Sequence, residues 1–223
     1  MARYITDKIL CEAYLNLNVE HPDPDELEVI RARLHEYVQT RGSFFLGNQI
    51  KTRVRLTEGS LIEHLAVVGT IYVAISQYPD FRTGVLKLYE DMVRLLQAFT
   101  VEAQFVSEAP NESVVHSEAR TGLIGILKGL IDRLQYIKDS AGLVKIRTLT
   151  KKLQLCQDDA LKVIETLTER REQSFVALNL RDLLFELPES PPERPKLDPP
   201  DPGALPAYRN MLKSFFSILN DYE

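Results

Sequence analysis

The chain has no tryptophan, two cysteines and four histidines among its 223 residues. Cys11 and Cys156 stand far apart in apolar surroundings, so no disulfide framework can be drawn; both read as reduced core thiols of a cytosolic protein. No H-E-x-x-H, Walker A, G-x-G-x-x-G or G-x-S-x-G spacing occurs, which removes the zinc-protease, phosphate-loop, dinucleotide and nucleophile-elbow templates. His35-Glu36 and Glu63-His64 lack a second histidine at helical spacing, so neither a metal nor a cofactor is expected. An excess of positive charge is missing too. Lys and Arg number 27 against 32 Asp and Glu, a net charge of -5, which argues against a surface built throughout to hold nucleic acid. No run reaches the ~20 apolar residues that a membrane-spanning helix needs. The first eight residues lack the apolar centre of a secretory signal, and the expected location is the cytoplasm.

What is present suits a folded core: 44% of residues are hydrophobic and 26% charged. Residues 9 to 19 alternate, with Ile9, Cys11, Ala13, Leu15, Leu17 and Val19 on one face and Glu12, Tyr14, Asn16 and Asn18 mostly on the other, which predicts a half-buried strand. After His21-Pro22-Asp23-Pro24, Asp25 and Glu28 resemble a capping box for a helix with the stripe Leu27, Ile30, Leu34 and Val38, ending near Gly42. Ile50, Thr52, Val54 and Leu56 alternate with Lys51, Arg53, Arg55 and Thr57 as a second strand. Ser60 and Glu63 form another capping box ahead of the apolar stretch 61–75, predicting a helix that reaches Gln77 before Tyr78-Pro79-Asp80 breaks it. Val85, Leu88, Met92, Leu95, Leu96 and Phe99 predict a longer helix from Phe81 to Val106. Residues 1–106 are thus expected to form a strand-helix-strand-helix-helix unit, with a polar connection over 107–113.

The strongest periodicity follows, in residues 113–187. Leu123, Leu127, Leu130, Leu134 and Ile137 recur at threes and fours, as do Ile146, Leu149, Leu153, Cys156, Ala160, Val163 and Leu167 beyond Asp139-Ser140-Ala141-Gly142. Two heptad seams joined by a short turn predict an antiparallel hairpin, with Leu123, Leu127, Leu130, Leu134, Ile146, Leu149, Leu153, Val163 and Leu167 as its contact residues for a partner or for each other. An apolar strip from Phe175 to Leu187 is expected to dock on it. Eight of the twelve prolines fall between 187 and 206, so residues 188–206 read as an extended linker. Residues 207–223 then form a terminal helix whose Met211, Leu212, Phe215, Phe216 and Leu219 must dock in cis or on a partner, because so short a helix is marginal alone.

The predicted fold class is therefore α+β and predominantly helical: a small two-stranded N-terminal unit, an antiparallel helical hairpin and a Pro-tethered C-terminal helix. Catalytic residues are not nominated. Arg41, Lys51, Arg53 and Arg55 are a possible face for an anion or an acidic partner, against the plain reading of an edge strand kept soluble by charge. The expected function is a non-enzymatic protein-interaction or oligomerisation subunit of a cytoplasmic, prokaryotic complex, of the accessory kind found in defence or toxin systems. Its partner is a protein or a second copy, without constitutive membrane insertion; nucleic acid has no more than the local basic face to hold it. The alternatives are a motif-poor enzyme or toxin-like effector with a dispersed active site, and a conformationally activated membrane-disrupting protein exposing residues 61–75.

Overall fold

In a computed structural model that describes residues 9–19, 23–47, 50–57, 61–192 and 201–223, the alternating segment becomes β1 (Ile9–Leu17), an interior strand of a sheet. Then follow α1 (Pro24–Leu46), β2 (Lys51–Thr57), β3 (Leu61–Val68), the short α2 (Ile71–Ile75), α3 (Phe81–Val106), a turn of 3-10 helix (Asn111–Ser113) and β4 (Val114–Arg120). The strand order is β2-β3-β1-β4, and every neighbouring pair is antiparallel. With α1 and α3 as the two crossovers, this is the split-βαβ arrangement. Four helices follow: α4 (Gly122–Asp139), α5 (Ile146–Thr166), α6 (Arg170–Phe185) and α7 (Ala204–Asn220). The chain is α+β and mostly helical. It divides into two compact units, Met1–Gly125 and Ile126–Glu223.

The first unit has four strands where two were expected, and both additions have physical causes. The helix expected from residue 61 to Gln77 is β3 followed by a single helical turn and a half. Residues of β3 are paired on both sides, His64 with Arg55 of β2 and with Tyr14 of β1. Two ladders and the β-branched Val67 and Val68 outweigh a local capping pattern; Ser60 itself lies outside the described residues. Residues 114–120, expected to open the hairpin, instead form β4 against β1. As an edge strand it is largely exposed, so it carries no hydrophobic alternation to read.

The helices of this unit show why they sit where they do. Asp23, rather than Asp25, caps α1 by accepting from the Glu26 amide at 2.8 Å. The helix runs through Gly42 to Leu46, because Gly42 is a contact and not a stop: a Cβ there would lie 2.8 Å from Cδ1 of Ile50. Its end is Gly47, at φ 84°. Asp80 caps α3 through the Thr83 amide at 2.8 Å, and that helix has the predicted span. One face of the sheet, with Cys11, Ala13, Leu15, Leu17, Leu65 and Val67, is buried together with Leu34 and Val38 of α1 and Val85, Leu88, Met92, Leu95 and Phe99 of α3.

In the second unit, α4 and α5 meet at Tyr136 with Lys152, whose Nζ lies 4.3 Å from the ring centroid, and at Leu130 with Cys156. The docking strip is the helix α6. Prolines 195, 199 and 200 lie outside the described residues. At the near end of the linker, Pro192 lies against Gly142, which has φ 78° and whose added Cβ would be 2.8 Å from Pro192 Cγ. At the far end α7 already begins at Ala204, so Pro206 falls in its first turn, where its missing N–H forfeits no helical bond. The terminal helix docks in cis. Tyr208, Leu212, Phe215 and Leu219 are buried, Ser174 Oγ donates to the Tyr222 carbonyl at 3.0 Å, and Gln157 Nε2 donates to Ser214 Oγ at 3.1 Å. Among the described residues no helix is long and apolar enough to cross a membrane.

Candidate interaction surface

Alternation along the strands that sends Cys11, Ala13 and Leu15 into the core sends Glu12, Tyr14 and Asn16 to the opposite face of the sheet. The ladder register lines up their neighbours. One row across the sheet is Arg55, His64, Tyr14 and Glu118; the next is Arg53, Ala66, Glu12 and Arg120; His116 of β4 stands beside Asn16. The tyrosine and histidine rings stack, with centroids 4.3 Å apart and planes at 22°. The Arg120 guanidinium lies 4.9 Å from the Tyr14 ring centroid and donates twice to Glu118, Nε to Oε1 at 2.7 Å and Nη2 to Oε2 at 2.6 Å. These bonds hold the Glu118 carboxyl below the usual carboxylate range. His64 Nε2 lies 3.3 Å from Glu12 Oε1, and His116 Nε2 lies 3.7 Å from Glu118 Oε2. The face is thus a connected polar network with an aromatic pair at its middle.

The basic residues nominated from sequence divide. Lys51, Arg53 and Arg55 are exposed on β2 and share this face, and among the described residues no carboxylate pairs with them. Arg41 does not join them. It lies on α1, which packs on the other side of the sheet, and its guanidinium is 5.4 Å from the ring centroid of Tyr37. Tyr14, Glu12 and Asn16 were visible as the polar face of a strand. His64, Glu118 and Arg120 were not singled out as a group, because β3 was read as a helix and β4 shows no pattern.

The hairpin seam faces inward. Leu123, Leu127, Leu130, Leu134, Ile146, Leu149, Leu153, Val163 and Leu167 are all buried, as are Leu212, Phe215 and Leu219 of α7; Met211 and Phe216 are half-buried. Apolar side chains left exposed on that unit include Leu143, Leu155 and Phe185, the ring of Phe185 lying 4.9 Å from that of Phe216.

The two edges of the sheet differ. Along β2, Gln39 Oε1 of α1 accepts from the Thr52 amide at 3.1 Å and from Thr52 Oγ1 at 2.8 Å, taking that one position of the edge, and three cations line the same strand. Along β4, Val115, His116, Ser117 and Ala119 are exposed, and no described strand pairs with its outer side. An unpaired row of backbone N–H and C=O groups is a template for another strand. No family model, curated protein or solved structure matches the chain.

Proposed function

We propose that the chain is a non-enzymatic protein-interaction or oligomerisation subunit of a cytoplasmic complex, and that it works through the sheet of its first unit. The observation that carries this reading is the open β4 edge, bordered by an organised polar face, on a molecule whose heptad-seam residues are buried and whose terminal helix is docked in the second unit. The contact surface therefore belongs on β4 and its neighbours and not on the seam residues. Two buried free thiols, Cys11 and Cys156, suit a reducing compartment. Light scattering on the full-length chain tests the reading: a mass above that of the monomer, rising with concentration, is expected. A strict monomer up to high micromolar concentration counts against self-assembly.

A second reading is favoured by the Tyr14–His64 stack flanked by Arg53, Arg55 and Arg120. Aromatic rings on the two middle strands of a four-stranded sheet, with cations beside them, are a platform for bases of single-stranded nucleic acid. Its test is fluorescence anisotropy with a labelled single-stranded RNA. Salt-sensitive binding weakened by Tyr14→Ala supports it, and no binding at low salt removes it.

A further inference from the structure

We infer that two copies of this chain join through β4, the strands running antiparallel about Ser117, so that two four-stranded sheets become one continuous sheet. This rests on the assembly reading and specifies its partner and its register. Ser117 is the midpoint of Val114–Arg120, so a two-fold axis there sets His116, Ser117 and Glu118 against Glu118, Ser117 and His116 of the second copy; Val115, the extra residue of a β-bulge opposite Asn16–Leu17 of β1, lies just outside that regular run. An isologous contact of this kind must be self-complementary, and β4 is. His116 falls opposite Glu118 of the second copy, and Glu118 opposite its His116. At the end of that run Val115, 64% exposed in the single chain, comes beside Ala119 of the second copy, also exposed.

Neighbouring registers that keep both helix layers on one side of the sheet lack this match. Centring on Glu118 sets the two Glu118 carboxylates against each other and Arg120 against His116. Centring on His116 apposes the two histidines and leaves Arg120 beyond the partner strand. Like charges directly opposite are unfavourable across an antiparallel pair. The far edge is less suited, since Gln39 takes the Thr52 amide and Lys51, Arg53 and Arg55 would face the same three cations of a second copy.

Sedimentation equilibrium on the full-length chain and two variants tests this. Val115→Lys places a charge at an exposed position of the edge, where it does not disturb the fold but opposes strand addition; the dimer dissociation constant is expected to rise about tenfold or more. Combining V115K with A119E sets opposite charges across the same pair, and dimerisation is expected to return. A wild-type dimer that V115K leaves intact overturns the β4 contact while the assembly reading stands. If V115K dissociates the dimer and the double variant fails to restore it, the register about Ser117 is overturned. A wild-type chain that is monomeric throughout overturns both. Circular dichroism melts of each variant, expected to match wild type at concentrations where all are monomeric, confirm that loss of mass is loss of association.

Discussion

Glu63 sits on the core face of β3, opposite Leu15, where Ser107 Oγ donates to its Oε1 at 2.7 Å and Oε2 has no partner. Burial pushes the carboxyl up to about 7, against the lowering effect of the Ser107 bond. In the unfolded chain the same group loses its proton near 4.5. A carboxyl whose folded pKa is raised binds its proton more tightly in the native state, so its contribution is greatest below the unfolded value. It falls as pH rises from about 4.5 to about 7 and is level above that. At 1.36 kcal/mol per unit, the loss is on the order of 3 kcal/mol. Glu63→Gln should flatten this slope and stabilise the protein at pH values above about 7 by roughly 1–3 kcal/mol, read as the midpoint of urea unfolding across pH. An unchanged pH profile would sink the assignment. Tyr208 is a second such residue. Its hydroxyl is buried in the second unit without a partner, and burial pushes its pKa up to about 12. A buried unmade hydrogen bond costs about 1–3 kcal/mol, so Tyr208→Phe should be neutral or stabilising by about 1 kcal/mol in thermal melts, where truncating a bonded tyrosine would destabilise.

At the scale of elements, what was legible depended on whether an element carries its own burial pattern. The alternation of β1 and β2, the stripe of α3 and the seams of α4 and α5 each record a buried face within one segment, and each was readable. The segment 61–75 was not, because a continuous apolar run fits a buried helix and an interior strand equally well, and its partners lie elsewhere in the chain. Nor was β4, whose residues are ordered by backbone pairing with β1 alone. The candidate site suffered in consequence: it is assembled across four strands, and two of them were missing from the sequence reading. One glycine records such a distant contact. Gly122 opens α4 at φ 49°, and a Cβ there would lie 3.0 Å from the carbonyl oxygens of Ile9 and Leu10. Left-handed backbone and a backbone clash act together, so Gly122→Ala should destabilise the first unit by about 1–3 kcal/mol. Hydrogen exchange localised to β1 reports it; wild-type protection there would refute the contact.

For the whole molecule, the composition alone leaves open whether apolar surface is spent on a core or on partners. The second unit resolves this for its own share. Four of its buried side chains, Tyr208, Leu212, Phe215 and Leu219, arrive on α7 from beyond the proline-rich stretch, and the helix is held at its end by Ser174 on the Tyr222 carbonyl, by Arg170 on the Asp221 carbonyl at 3.1 Å, and by an ion pair between Arg181 and Glu223. Each large apolar side chain contributes about 1.5–3 kcal/mol on burial, so losing four removes on the order of 6–12 kcal/mol. Whole domains are stable by only about 5–15 kcal/mol. Ending the chain at residue 203 should therefore unfold the second unit rather than free a partner-binding groove. Far-UV circular dichroism of the shortened chain should lose more helix than α7 itself holds, and exchange protection should vanish from α5 and α6. A shortened chain that keeps that protection would mean that α7 is an adjustable arm and that the groove beneath it is available to other helices.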